Sequence, residues 1–149
     1  MKTIYLKFDG VPFAKQSTKF ARRGKSVIAY TPKRIKKKVE AIEWMAKDQL
    51  PGGFNPWDCP IKIDFIRYVF PIPKSMAKKY KIMISQGIKV YKCKKPDVPD
   101  NLNKGLLDAL EGIVFNQDSR IVKVCDIEKV FGIKPMTEIQ FSKIDQIVL

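Results

Sequence analysis

The sequence predicts a single α+β domain, a small mixed or antiparallel sheet packed with about three helices, and three observations carry that expectation. Segments rich in β-branched and aromatic residues, TIYLKF at 3–8 and IKIDFIRYVF at 61–70, read as strands. Between them Ile35, Val39, Ile42, Ala46 and Leu50 recur at helical spacing. No repeat, low-complexity run or long linker divides the 149 residues. A chain of that length buries roughly two thirds of its unfolded surface in one core, so residues 1–149 are expected to form one domain.

Taken in order, the first strand gives way to GVPFAKQSTKFARRGKSVIAY, where Gly, Pro and Ser mix with Lys15, Lys19, Arg22, Arg23 and Lys25. This reads as a basic loop running into a short strand around Val27 to Tyr30. Thr31 suits an N-cap and Pro32 the first helical position, opening a helix to about Gln49 that Pro51-Gly52-Gly53 stops. Residues 61–70 are the central strand. SMAKKYKIMISQG suggests a short basic helix ending at Gly87, followed by a strand through Val90 and Tyr91 toward Lys95. A helix with leucines 102, 106 and 110 on one face comes next, then strands near Ile121 to Val130 and Thr137 to Phe141.

Composition narrows the chemistry. Lys and Arg number 29 against 15 Asp and Glu, a net charge of +14, which points to a polyanionic partner: nucleic acid first, an anionic membrane surface second. A merely soluble basic surface accounts for the charge equally. No stretch approaches the ~18 apolar residues of a membrane span, and MKTIYLKFDG has no signal-peptide core, so a soluble cytoplasmic protein is expected. The three cysteines form no CxxC pair and read as reduced thiols. Histidine is absent, which removes Ser-His-Asp and Cys-His catalysis, His-ligated zinc and His-dependent nuclease chemistry. An enzyme acting on nucleic acid would then rely on carboxylates holding a hard metal ion.

Against that basic background, residues 94–122 gather Asp97, Asp100, Asp108 and Asp118 around one short helix. Asp100, Lys104 and Asp108, each four residues apart, share a helix face opposite the leucines. Asp97 lies in the Pro-bracketed segment Pro96-Asp97-Val98-Pro99, expected to be extended, and Asp118 in a turn before a strand. Should that strand pack beside the helix start, three carboxylates would converge and repel unless a cation held them. Singly, each acid also suits a plainer role: Asp100 as N-cap, Asp118 as turn former, Lys104 as an i,i+4 partner of Asp100 or Asp108 worth about 0.3 to 0.5 kcal/mol. No acid-x-Lys tripeptide accompanies Pro96-Asp97, and the glycine of an EF-hand loop is missing. For Asp126, Glu128, Glu40 and Glu43 a solvated surface is expected.

KPDVPDNLNK (95–104), LLDALEGI (106–113) and NQDSRIV (116–122) resemble the signature of the RusA-like endodeoxyribonucleases, which resolve Holliday junctions and are frequent in bacteriophages and prophages. GVPFAKQSTKFARR matches more weakly, and PIPKSMAKKYK resembles the phage branch. The resemblance covers most of the chain. It implies a RusA-like nuclease domain acting as a Mg²⁺-dependent homodimer, with Mn²⁺ able to substitute, that cuts branched DNA at four-way junctions in paired symmetric nicks. Asp97, Asp100 and Asp118 would be the catalytic, metal-binding acids, Lys104 the catalytic lysine and Asn101 a site-shaping or DNA-contacting neighbour; from the shared helix face, Asp108 is expected to hold Lys104. Lys15, Lys19, Arg22, Arg23 and Lys25 are expected to contact DNA, with the 74–81 segment, whereas the lysines of 33–38 suit a solvated face as well as a phosphate track. The expected setting is a bacterial host cell, with neither membrane nor small-molecule substrate involved. The alternative is a non-catalytic basic DNA- or RNA-binding protein, including a relative that binds junctions without cutting them. In two places the chain departs from the family motif. Val98 and Pro99 stand where one residue is usual, so strict alternation would point Asp97 and Asp100 apart unless a bulge or turn at Pro99 intervenes. Gln117 stands where a second aspartate is frequent.

Overall fold

A computed structural model describes residues 1–15 and 19–145, with the side chains of Lys19, Phe20 and Asp100 outside that description. The described residues form seven strands and three α-helices: β1 (Thr3–Asp9), β2 (Lys19–Arg23), β3 (Ser26–Tyr30), α1 (Lys33–Gln49), β4 (Ile61–Pro71), α2 (Lys78–Ser85), α3 (Asn103–Leu110), β5 (Ile121–Val124), β6 (Ile127–Gly132) and β7 (Met136–Lys143). The expected α+β class holds, and the sheet is mixed. β1 pairs antiparallel with β7 and β7 antiparallel with β4, while β5 and β6 both run parallel to β4. A parallel pair cannot be joined by a tight turn. Residues 72–120 make the crossover, carrying α2, a π turn at Val98–Leu102 and α3.

The central strand shows how the sequence sets the core. Ile61 and Ile63 are buried, the ladder to β7 slips between Ile63 and Phe65, and the buried set then becomes Ile66, Tyr68 and Phe70. The irregularity between Ile63 and Phe65 shifts the two-residue alternation by one, so Phe65 joins Asp64 on the far face. On the buried face, Ile4, Leu6 and Phe8 of β1 join Ile42 and Ala46 of α1, Leu102 of the π turn, and Leu106, Ala109 and Leu110 of α3. Each fully buried leucine or isoleucine contributes about 1.5–3 kcal/mol. The leucine face of α3 thereby aims Lys104 and Asp108 away from the core.

The other face of the sheet carries a polar network. Arg67 Nε donates to Glu128 at 2.7 Å and its Nη1 to Glu138 at 3.4 Å, Lys89 reaches Glu128 at 3.0 Å, and Tyr5 donates to Glu138 at 2.5 Å. Asp64 accepts from Ser142, Gln140 and Lys62. Glu128, expected to be solvated surface, is thus half-buried and paired.

Several elements differ from the sequence expectation. The basic loop after β1 forms a strand of its own, β2, which pairs with β3 across a turn where Gly24 takes a φ of 61°. Alternation in KFARR is masked by its charges. Pro32, not Thr31, precedes α1, and without any side-chain cap; the Pro32 carbonyl accepts the N–H groups of Ile35 and Lys36. Only one bridge, Tyr91 to Val130, stands where a strand toward Lys95 was expected. The stretch 121–130 is two strands, interrupted at Cys125-Asp126. Val98 to Pro99 is helical rather than extended.

Candidate active site

The segment from Lys95 to Lys104 is held by neighbours on three sides. Lys129 of β6 donates its ammonium to the carbonyls of Lys94 at 2.6 Å and Pro96 at 2.7 Å, across a cis Lys95–Pro96 peptide. Tyr68 of β4 donates its hydroxyl to Asn103 Oδ1 at 2.7 Å, and burial pushes that hydroxyl's pKa far up. Lys15 N–H bonds the Asn101 carbonyl at 3.0 Å. Leu102, fully buried, pins the turn to the core.

Inside this frame the Leu102 N–H reaches the Asp97 carbonyl at 3.0 Å, five residues back. A π turn takes one residue more than an α turn, so the extra residue between Asp97 and Asp100 is absorbed as helix. Pro99 fits because the first residues of a helical turn need no N–H donor. Asp97 and Asp100 therefore belong to the same turn, and Asp100 stands within it rather than at an N-cap position. Asp97 is exposed, Asn101 half-buried and Lys104 exposed.

Asp108 is bound to Lys15. Its Oδ2 lies 2.9 Å from Lys15 Nζ, with the side chains 35% and 26% exposed, so the expected support of Lys104 gives way to a bond with the N-terminal segment. The approach is close because position 105 is glycine. A Cβ there would stand 3.0 Å from Phe13 Cε2 and 3.2 Å from Lys15 Cβ. Residues 13–15 are thus docked on α3 by a backbone hydrogen bond, an ion pair and a glycine contact. Arg22, Arg23 and Lys25 lie exposed on and beside the β2–β3 turn; Lys19 is in β2, its side chain outside the described residues.

Asp118 opens a 3₁₀ turn, Asp118–Arg120, and is exposed. Arg120 Nε holds Asp58 Oδ1 at 2.7 Å, and β5 then pairs with the beginning of β4, Ile121 opposite Ile61. The helix start lies at the other end of β4, where Tyr68 holds Asn103 and Lys129, opposite Tyr68, holds Pro96. The seven steps from Ile61 to Tyr68, at strand rise, span on the order of 20 Å. One chain thus joins Asp97 and Asp100 in a turn and leaves Asp118 at the far end of the sheet. Among the described residues no group of three or more Cys, Asp or Glu side chains is gathered to hold a metal ion. Asp97 and Asp118 have no ion-pair or side-chain hydrogen-bond partner there, unlike Asp58, Asp64, Asp108, Glu128 and Glu138.

Tyr68, Asn103, Lys129 and Gly105 position the site without having been picked out in the sequence. Asn103, inside the DNLNK run, was the one signal available; the others read as strand or helix residues.

The sequence model of the family described as Endodeoxyribonuclease RusA matches residues 9–142. The uncharacterized protein YqaN of Bacillus subtilis (strain 168) is 31% identical over 87 residues, 57% of this chain and 58% of YqaN. The chain thus spans little more than half of that relative. With the family match running from the end of β1 to β7 and enclosing the π turn, α3 and the Asp118 turn, the chain belongs to the RusA endodeoxyribonuclease family.

Proposed function

We propose that the chain is a metal-dependent endodeoxyribonuclease that resolves four-way DNA junctions by paired nicks, acting as a homodimer. The observation that carries this reading is the π turn, which unites Asp97 and Asp100 beside the outward Lys104 in a chain of net charge +14. The donor chemistry suits Mg²⁺, with Mn²⁺ as substitute: carboxylate oxygens without imidazole favour a hard cation. Asp97, Asp100 and Asp118 would hold the ion. Bound there, Mg²⁺ would neutralise the scissile phosphate and favour attack by water.

The span between the two ends of β4 supports a shared site. A two-fold dimer repeats every contact, so Asp118 of the partner subunit can meet Asp97 and Asp100 of the first, and the converse. Two equal sites then act on two strands, as paired nicks need. Lys104 faces the charge that develops on the phosphate as the bond breaks. Lys15, Lys19, Arg22, Arg23, Lys25 and Asn101 contact the DNA backbone, and Asp108 fixes Lys15 for that purpose.

Mixing inactive variants tests this. Asp118→Asn and Asp100→Asn should each abolish Mg²⁺-dependent nicking of a synthetic four-way junction. Mixed together, with subunit exchange, they regain about a quarter of the parental sites, because each heterodimer keeps one site whole. A mixture as dead as its parts would overturn the shared site. Parental activity in either single variant would overturn the assignment of the acids and favour junction binding without cleavage.

A further inference from the structure

Beside the proposed active site lies a groove of about 770 Å³, walled by residues 11–15, the end of β3, the first turns of α1, the Lys95–Pro96 peptide and α3. Its chemistry is mixed in a particular way. Lys15, Arg34, Lys38, Lys95 and Lys104 bring positive charge, and Asp108, the acid in the wall among the described residues, is already bonded to Lys15. Between the cations lie Tyr30, 44% exposed at the open end of the hairpin, and a floor made by Phe13, Pro12 and Ile35. The walls are fixed, since residues 13–15 are docked on α3 at Gly105 and Asn101.

Paired DNA makes poor use of such a space. The phosphates of a duplex lie on a convex surface and its bases are stacked inside, so it meets only the rim. An unpaired strand can lay its backbone along the cations and turn a base onto an aromatic ring, the combination by which single strands are held without regard to sequence. The volume suits about two nucleotides. We propose that this groove receives unpaired deoxynucleotides next to the scissile phosphate, with a base stacked on Tyr30 and phosphates against Arg34 and Lys38. The endodeoxyribonuclease reading supplies the use: an open branch point offers such nucleotides, whereas continuous duplex does not. Binding itself requires neither metal nor cleavage.

The test is therefore made on the full chain in the presence of a chelator, with a labelled six-nucleotide oligothymidylate carrying one 2-aminopurine, and with a short blunt duplex as comparison. The parental protein should bind the oligonucleotide and quench the 2-aminopurine. Tyr30→Ala should weaken that binding about tenfold and abolish the quench, Tyr30→Phe should preserve both, and duplex affinity should change less than twofold in either. Arg34→Ala should weaken oligonucleotide binding while leaving the quench at saturation. Absence of oligonucleotide binding, equal losses on oligonucleotide and duplex, or displacement by polyglutamate with no quench at any stage would overturn the proposal, the last in favour of an acidic peptide. Because no cleavage is measured, failure here leaves the nuclease reading standing, and absence of nicking leaves this groove standing.

Discussion

Two sets of carboxylates in this chain have been treated oppositely by the fold. On the open face of the sheet Asp64, Glu128 and Glu138 are half-buried and each is bonded to a cation or hydroxyl. Asp97, midway along the crossover, and Asp118, near its end, stand exposed with no ion-pair or side-chain hydrogen-bond partner among the described residues. A protein with 29 basic residues has cations enough to neutralise every acid, yet among the described residues Asp97 and Asp118, like the exposed Glu111 and Asp126, form no ion pair, so pairing follows placement. The first set adds to stability and lacks access. The second has access and adds little to stability.

The largest expected effect tests that contrast at Asp118. If Asp118 holds the cation as proposed, Asp118→Asn should reduce junction cleavage at least about a hundredfold, since losing that ligand removes the cation's charge from the reaction. Its melting temperature should stay within about a degree of the parent, as for an exposed position without partners. A large fall in melting temperature would move Asp118 into the structural set.

Glu128→Gln should do the reverse. Arg67 and Lys89 lose a half-buried anion, so about 1–3 kcal/mol of stability is expected to go, with cleavage per folded molecule unchanged. Calorimetry and a nicking assay at saturating Mg²⁺ read the two together. A variant as stable as the parent would show the network to be surface decoration.

The same network predicts a pH dependence. Burial pushes the Glu128 carboxyl up, but hydrogen bonds and charge from Arg67 and Lys89 outweigh it and hold the group below its ordinary range. Asp64 is likewise pushed up by burial and held down by Ser142, Gln140 and Lys62. Groups depressed in the folded state contribute stability above their unfolded pKa, near pH 4, and lose it as pH falls through the folded values. Unfolding free energy should therefore drop below about pH 4, and less steeply in Glu128→Gln. Identical slopes would remove Glu128 from the titration.

How much of this was legible depends on the range of the interaction. Local signals were read directly: the helical spacing of α1, the β-branched run of β4, and Gly87, whose φ of 80° lets the Ile88 N–H reach the Met83 carbonyl and close α2. Non-local ones were not. Strand β2 is hidden by its charges, and the burial of Glu128 depends on which strands β4 pairs with. The acids illustrate both. Their identity stood out because KPDVPDNLNK is compact in sequence, but the distance to Asp118 is set by a parallel register that no periodicity reveals. Even the misfit residue in the motif had a local solution, a π turn, that follows from backbone hydrogen bonding rather than from alternation.

The smallest effect concerns Gly105, where helix propensity and packing oppose each other. Alanine is favoured over glycine within a helix by about 1 kcal/mol. Here the added methyl would press on Phe13 Cε2 at 3.0 Å and Lys15 Cβ at 3.2 Å. Neither neighbour yields freely: Phe13 is packed against the core, and Lys15 is fixed by Asn101 through its backbone and by Asp108 through its ammonium. The two terms should roughly cancel in global stability, leaving the melting temperature within about 3 °C of the parent. What changes is local. Residues 13–15 would shift off α3, Lys15 would lose its proposed place against DNA, and junction affinity in Gly105→Ala should fall about two- to fivefold, with a shallower dependence on salt. Should affinity stay constant while the melting temperature rises by the full propensity gain, the segment is resting on the helix rather than held by it, and Lys15 would be an independent charge like those of the hairpin.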